Sequence, residues 1–384
     1  MFDKILIKSG SNVLERHLSI PDLVDMMFYY NEVHVVISQF ELKQLLSVFG
    51  EDILFQLIKT RRLIIHPCDQ HIGASMYDGM VSLGLYRHDY RSIDELLYNF
   101  HKEFIDDSKQ NKRFADRFSP VLEQYQYPSY LQNSLYEDIE SESLLTTSTK
   151  FFINHYYPTY EGIDSIKIKA EPEDTPIMKM FRIGGNLRLD ELNSIHQKMG
   201  YRGDFSYSAI LIALGETNID CYLTSELGAE LIANQQLCEL YKHRMNSCMI
   251  NSENSLNNIN HFHEMVSKEF LSPGQSFKER LISASELLED LNSKTSVYFR
   301  DWLSGLPSDS SLIHEAFKEM QNVNSGKPWV KLSRLFVLFL AGLLQPLIGT
   351  GLSFLDTFVG DKIINGWTPA LFATKVLSKD IYKR

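Results

Sequence analysis

Apolar and polar residues alternate with two different periods over the first 67 residues of the chain. Three short apolar runs have the length and the β-branched content of buried strands; they occupy 4–10, 32–38 and 62–67. Between them, apolar residues recur at every third or fourth position, which predicts helices with one buried face at 19–30 and 40–61. Strands and helices that alternate with short connections predict parallel βαβ units.

Capping and breaking residues support these helix boundaries. Ser19 precedes the first helix and Pro21 lies in its first turn, as is typical of a helix start. Gly50 interrupts the second helical pattern, and we expect it to break or bend that helix. The side chains that we expect to be buried in the sheet include Val35, Ile37 and Ile64.

The pattern changes between residues 70 and 150, where polar, aromatic and charged residues dominate. A helical stretch is predicted around 92–107. The acidic and hydroxyl-rich sequence of 137–149 predicts an exposed loop or linker. We interpret 70–150 as a helical insertion into the α/β unit.

Alternation resumes between residues 151 and 250, and we expect these pieces to extend the same sheet. Strands are predicted at 162–170 and 219–225, with a loop at 171–176. The predicted helices are 188–200, which ends on Gly200, 206–216 and 226–245.

Beyond residue 250 the sequence predicts helices and no strand. The asparagine- and serine-rich segment 251–260 marks a boundary, and an amphipathic helix is predicted at 311–321. A helix seam in a bundle is predicted from the spacing of Phe277, Leu281, Ala284, Leu288 and Leu291. The segment 251–384 is therefore predicted to be an all-α domain.

The most apolar stretch of the chain runs from Leu335 to Leu355, 21 residues without a charge. That length can span a bilayer. Pro346 lies near its middle and removes a backbone donor, which splits the stretch into two shorter helices. A buried apolar helix pair over 335–359 is the first interpretation, and a membrane-inserted or conditionally exposed element is the alternative.

Charge and cysteine usage narrow the class of protein. The formal net charge is −11 over 384 residues, which disfavours nonspecific binding to a phosphate backbone. Two short basic runs, "KTRR" (59–62) and "KQNKR" (109–113), are the local exceptions. The four cysteines match neither a CxxC pair nor a disulfide framework, and the first residues lack the features of a secretory signal. We expect a cytoplasmic protein.

No dinucleotide-binding, P-loop, zincin or nucleophile-elbow motif occurs in the sequence. The layout of "HVVIS" and "QFELKQLL", followed later by "AILIALGETNIDCYLTSEL", resembles PIN-like nuclease domains. The resemblance implies acidic residues at strand ends that hold Mg²⁺ or Mn²⁺, hard cations that prefer carboxylate oxygens. Glu41, Glu216 and Glu226 are the residues that fall in the matching positions.

The predicted fold is an α/β domain over 1–250 with a mainly parallel sheet, followed by the helical C-terminal domain. Three functions remain open. The first is an intracellular interaction or regulatory protein without catalytic chemistry or an evident cofactor, with a protein partner or a second copy. The second is a PIN-like nuclease that needs Mg²⁺ or Mn²⁺ and uses the three glutamates as catalytic residues. The third is a membrane-acting effector that uses the apolar helices of 335–359.

Overall fold

The computed structural model describes residues 3–8, 18–68, 70–87, 92–123, 125–174, 179–201, 204–231 and 273–304, and also Val376. The predicted helix at 311–321, the predicted apolar pair at 335–359 and most of the predicted helix at 226–245 lie outside these residues. Within the described part of the chain, no helix combines the length and the apolar character that crossing a membrane requires.

Two four-stranded sheets form the framework of the described chain. Their strands are β1 (Lys4–Lys8), β2 (Glu32–Ile37), β3 (Leu63–Pro67), β4 (Gln70–Tyr77), β5 (Met80–Arg87), β6 (Ile168–Asp174), β7 (Lys179–Gly185) and β8 (Glu230–Leu231). The first sheet has the order β3-β2-β1-β8, and all its neighbours are parallel. The second has the order β4-β5-β7-β6, and all its neighbours are antiparallel.

Helices cover both sheets. The helices that precede β6 in the chain are α1 (Ile20–Tyr29), α2 (Gln39–Phe49), α3 (Glu51–Lys59), α4 (Ile93–Lys102), α5 (Ser108–Phe118), α6 (Tyr130–Glu140) and α7 (Glu142–Tyr156). The helices that follow β7 are α8 (Leu189–Lys198), α9 (Tyr207–Leu227), α10 (Pro273–Lys278), α11 (Ala284–Asn292) and α12 (Lys294–Ser304). Short 3-10 turns occupy Ser119–Val121 and Ile163–Ser165.

The parallel unit predicted for residues 1–67 is confirmed. Strand β2 pairs in parallel with both β1 and β3, and Val35, Ile37 and Ile64 are buried. The Ser19 hydroxyl caps α1 by accepting a hydrogen bond from the Asp22 N–H at 3.3 Å. Gly50 separates α2 from α3 with a φ of 73°, a conformation that glycine adopts without steric cost.

The first sheet separates two hydrophobic cores. One core contains Ile5, Val33 and Val35 together with residues of α1 to α5 and α10 to α12. The other contains Leu6 and Val36 together with α6, α7, α9 and the second sheet. Successive residues of a strand face opposite sides, so β1 and β2 contribute alternate side chains to each core.

The helical insertion predicted for 70–150 is present only in part. Residues 93–156 form α4 to α7, but 70–87 form the antiparallel hairpin β4–β5, so the helical prediction is wrong there. Its two-residue turn is Asp78-Gly79, and both residues have positive φ, as hairpin turns require. Glycine and serine on the outer face of the hairpin conceal the apolar alternation that marks a strand.

The loop predicted at 137–149 is wrong, because α6 and α7 occupy this segment. Ser148 and Thr149 are completely buried on α7. The Thr149 hydroxyl donates a hydrogen bond to the Leu145 carbonyl oxygen at 2.7 Å. A hydroxyl that bonds to its own helix can be buried, so hydroxyl-rich composition did not signal exposure here.

The pieces between 151 and 200 do not extend the first sheet as predicted. Strands β6 and β7 instead complete the second, antiparallel sheet. The loop predicted at 171–176 is wrong as far as Asp174, because β6 continues through Pro172. An edge strand tolerates proline, since the missing donor faces away from the ladder. Helix α8 and the turn at Gly200, with φ 83°, agree with prediction.

The strand predicted at 219–225 is also wrong, because α9 continues without interruption from Tyr207 to Leu227. This helix packs against α6, α7 and strands of both sheets, so apolar side chains are buried around its whole circumference. A helix buried on all sides loses the 3.6-residue periodicity by which it would be recognised. It ends at Gly228, with φ 59°, and β8 then adds to β1.

The seam predicted over 277–291 is divided between two short helices, α10 and α11, and Leu281 between them is 49% exposed. These helices and α12 pack into the same core as α1 and α3. The N–H of Gly274 donates to Asp25 Oδ1 at 2.8 Å. A side chain at Gly274 would overlap the backbone of Pro21, so glycine allows α10 to approach α1 closely.

Candidate functional site

The candidate site lies on the face of the first sheet that α9 and the second sheet cover. Lys8 and His34 project to the same face as Leu6 and Val36, and His66 of β3 is in register with Val36. Charged and imidazole groups are costly to bury unless they are paired. This face therefore carries polar groups whose partners define the site.

A buried ionic cluster forms at the carboxyl end of β1. Lys8 Nζ lies 3.5 Å from Glu216 Oε2 and 3.4 Å from Asp220 Oδ1. The side chains are 8%, 6% and 0% exposed, so the cluster is shielded from water. Two carboxylates four residues apart lie on one face of α9, which explains how a single ammonium group contacts both.

Further polar residues of α9 are paired within the same core. Asn218 donates hydrogen bonds to Asp138 and, at 3.0 Å, to Ser134 Oγ, both on α6. The Thr217 hydroxyl donates to the Leu214 carbonyl oxygen at 2.7 Å. The polar residues between 216 and 220, in the middle of α9, therefore connect this buried helix to β1 and to α6.

A tyrosine cluster, formed by Tyr125, Tyr127, Tyr130 and Tyr222, lies next to the ionic cluster. Tyr125 continues along the open side of β3, because its N–H donates to the Pro67 carbonyl oxygen at 3.1 Å. The rings of Tyr130 and Tyr222 meet edge to face at 6.0 Å, and Tyr222 lies close enough to Tyr125 and Tyr130 to raise the pKa of both hydroxyls. The cluster extends from the buried Tyr127 to Tyr130, which is 59% exposed.

Electrostatics connect the two clusters. Burial raises the pKa of Tyr127, and the neighbouring Cys68, Asp220 and Glu216 raise it further. Burial also raises the pKa of Tyr125, with additional contributions from the hydrogen bond to Tyr222 and the charge of Glu226. Both phenols are therefore neutral at physiological pH, and their hydroxyls remain hydrogen-bond donors.

A pair of buried histidines, on β2 and β3, lies on the same face of the sheet. His34 Nδ1 and His66 Nε2 are 2.9 Å apart, and the two rings are stacked with an interplanar angle of 8°. His66 Nδ1 lies 3.2 Å from the Glu123 carbonyl oxygen, which can only accept. His66 Nδ1 therefore carries a proton, and its Nε2 accepts from His34 Nδ1. His34 Nε2 lies 3.4 Å from the Glu32 carboxylate.

Burial sets the protonation of this histidine pair. Burial and, to a smaller extent, the neighbouring His34 lower the pKa of His66 to about 4. Burial also lowers the pKa of His34, although the Glu32 carboxylate acts in the opposite direction. His66 is therefore neutral at physiological pH.

The structure distributes the three predicted glutamates over different places. Glu41 accepts a hydrogen bond from the Ser38 N–H at 2.9 Å in a capping box of α2, which packs on the opposite side of the first sheet from α9. Glu216 belongs to the ionic cluster. Glu226 is exposed on α9, about 15 Å farther along the helix at 1.5 Å per residue. Their role as nuclease residues stays a prediction.

Sequence reasoning missed most of the site. Lys8, Asp220 and the tyrosine cluster were not singled out. Two signals were present: a lysine that closes an apolar strand, and acidic residues at i and i+4 in an otherwise apolar helix. Neither signal identifies its partner, because Lys8 and Glu216 are 208 positions apart.

Among the residues that the structure describes, no group of three or more His, Cys, Asp or Glu side chains is arranged to hold a metal ion. No protein-family model matches the chain. No curated protein and no solved structure matches it either. The function of the chain is therefore inferred from the geometry of its own residues.

Proposed function

We propose that this chain is an intracellular interaction protein that binds a basic segment of a partner protein at the carboxyl edge of its first sheet. The observation that supports this most is the position of the tyrosine cluster beside Glu216, Asp220 and Glu226. Lys8 contacts two carboxylates, Glu216 and Asp220, and the exposed Glu226 adds a third carboxylate farther along α9, so this edge has a net negative charge.

Charge supports a cationic partner. Glu216 and Asp220 are buried and engaged by Lys8, whereas Glu226 is exposed. Glu226 lies close enough to Tyr125 and Tyr130 to raise the pKa of both phenols. The net charge of −11 attracts basic segments at long range, and the edge then provides the local contact.

The exposed aromatic rings support a protein partner. Tyrosine is enriched in protein interfaces, since it buries a large area and has few rotamers to lose. Tyr130 is already held edge to face by Tyr222. Its π-face can also attract a lysine or arginine side chain, an interaction worth about 0.5–1 kcal/mol at exposed sites.

The interior of the site favours a binding role over catalysis. Lys8 is held by two carboxylates, and His66 is held between His34 and the Glu123 carbonyl oxygen. These groups are buried, and a catalytic group has to reach the atom on which it acts. The ionic cluster and the histidine pair therefore serve as the rigid base of a binding surface.

Binding of a labelled peptide rich in lysine and arginine, measured by fluorescence anisotropy, tests this proposal. We expect Tyr130→Ala to raise Kd about tenfold, the effect of roughly 1.4 kcal/mol. We expect Glu226→Gln to weaken binding severalfold and to reduce its salt dependence, because one ionic contact is lost. A glutamate-rich peptide should not bind.

Two matched variants separate local binding from general charge attraction. Glu161→Gln makes the same change in net charge at an exposed position outside the edge, and Tyr201→Ala removes another exposed tyrosine. Both should bind the basic peptide as the wild type does. Equal losses in Glu161→Gln and Glu226→Gln would show that only net charge matters, and the proposed surface would be rejected.

The second candidate is the metal-dependent nuclease that the PIN-like resemblance implies. The observation that favours it is the convergence of Glu216 and Asp220 on one cation at the carboxyl end of β1. We expect Mn²⁺-dependent cleavage of RNA or DNA that Glu216→Gln and Asp220→Asn abolish while the protein remains folded. Wild-type protein that is inert on both nucleic acids with Mn²⁺ and Mg²⁺ would eliminate this candidate.

A further inference from the structure

Two arginines meet at the amino edge of the first sheet, at the end opposite to the tyrosine cluster. Arg62 immediately precedes β3, and Arg300 lies on α12. Arg300 is 1% exposed and is the largest of the fully buried side chains. Arg62 belongs to the basic run "KTRR" (59–62).

The guanidinium groups have donors without acceptors. Arg300 Nη2 donates to the Leu291 carbonyl oxygen at 2.9 Å. Within the described chain, Nε and Nη1 of Arg300 and Nη1 of Arg62 are buried and have no hydrogen-bond partner. A guanidinium normally uses its donors in bonds to carboxylate or phosphate oxygens, so three idle donors identify a place for an acceptor.

Within the described chain, the charges of this arginine pair are only partly compensated. Burial and, to a smaller extent, the nearby charge of Arg62 lower the pKa of Arg300 to about 9. Both side chains are still cationic at neutral pH. Asp301 attracts both of them, but it is exposed on α12, and Glu32 is already paired with Arg61. Arg300 is a buried cation and Arg62 a partly buried one, and a dianion would balance both charges.

We propose that Arg62 and Arg300 bind a phosphate group, with the idle guanidinium N–H groups as donors to its oxygens. The planar arrangement of guanidinium donors matches phosphate oxygens better than a lysine ammonium does. The phosphate group is either a free phosphate ion or the terminal phosphate of a nucleotide. The site lies at the other edge of the sheet from the peptide surface, so the two proposals stand or fall separately.

Thermal unfolding of the full chain with increasing inorganic phosphate tests the site, with sodium chloride at matched ionic strength as the reference. We expect the wild-type Tm to rise with the logarithm of phosphate concentration, because a ligand that binds the folded state stabilises it. Arg300→Met and Arg62→Met should abolish this rise. The matched control is Arg280→Met, which removes an exposed arginine and should respond as the wild type does.

A parallel titration with AMP or ATP distinguishes the two sources of the phosphate group. A larger rise of Tm with the nucleotides indicates a nucleotide site, and an equal or smaller rise indicates a site for the free ion. Methionine fills much of the arginine volume without a charge, so Arg300→Met is expected to fold. The proposal is overturned if none of the probes raises the wild-type Tm above the chloride reference, or if Arg300→Met and Arg62→Met respond as the wild type does.

Discussion

The Lys8→Met variant is expected to lose about 3–5 kcal/mol of unfolding free energy, because removing one partner leaves buried charges uncompensated. Glu216 and Asp220 would then face each other at the carboxyl end of β1 without the ammonium group that separates their charges. The measurement is the midpoint of urea-induced unfolding at neutral pH, monitored by circular dichroism.

Lys4→Met is the matched control, since Lys4 lies on the same strand and its 3.7 Å ion pair with Glu32 is partly exposed. We expect it to cost less than about 1 kcal/mol, as exposed pairs do. The triple variant Lys8→Met, Glu216→Gln, Asp220→Asn removes all three charges and should recover most of the loss. If Lys8→Met and Lys4→Met cost the same, Lys8 does not hold α9 to the sheet.

The second large effect is a loss of stability in acid that depends on His66. The pKa of His66 is about 4 in the folded chain and 6.5 in the unfolded reference, so only the unfolded state binds this proton between those values. Stability is therefore fully present above pH 6.5 and is lost as the pH falls toward 4. A gap of about 2.5 pH units corresponds to about 3 kcal/mol.

The variant His66→Gln tests this dependence, because it keeps a hydrogen-bonding side chain but cannot titrate. We expect the plot of unfolding free energy against pH to be flatter for His66→Gln than for the wild type between pH 6.5 and 4. His155→Gln on α7 lies outside the histidine pair and should keep the wild-type slope. An unchanged slope in His66→Gln would mean that other groups carry the acid sensitivity.

The fold was predictable from the sequence where its signals are local, and it was missed where they are not. Residues 19–67 were predicted closely because their signals are local: Ser19 caps one helix, Gly50 separates two others, and each strand is a short apolar run. The hairpin β4–β5 was missed because its outer face carries Gly73, Ser75 and Gly84, which hide the alternation. A strand is hard to recognise from the local sequence pattern when the residues on its exposed face are small rather than charged.

The glutamate predictions also separate what the local sequence shows from what the fold decides. Acidic residues at the ends of the predicted elements were recognised from sequence, and Glu216 does lie in a buried polar site. Its neighbours could not be inferred, because α9 was divided into a helix and a strand. That error moved Asp220 out of the helical turn that places it beside Glu216.

The sequence by itself determined the parallel unit, its caps and breaks, and the acidic character of the chain, because these depend on neighbouring residues or on simple sums. Only the tertiary structure decided that His34 stacks on His66, that Lys8 reaches Glu216 and Asp220, and that Arg62 lies near Arg300. Each of these contacts joins residues that are distant in sequence. Strand register and helix packing bring them together, and the cost of burying an unpaired charge then makes the pairing matter.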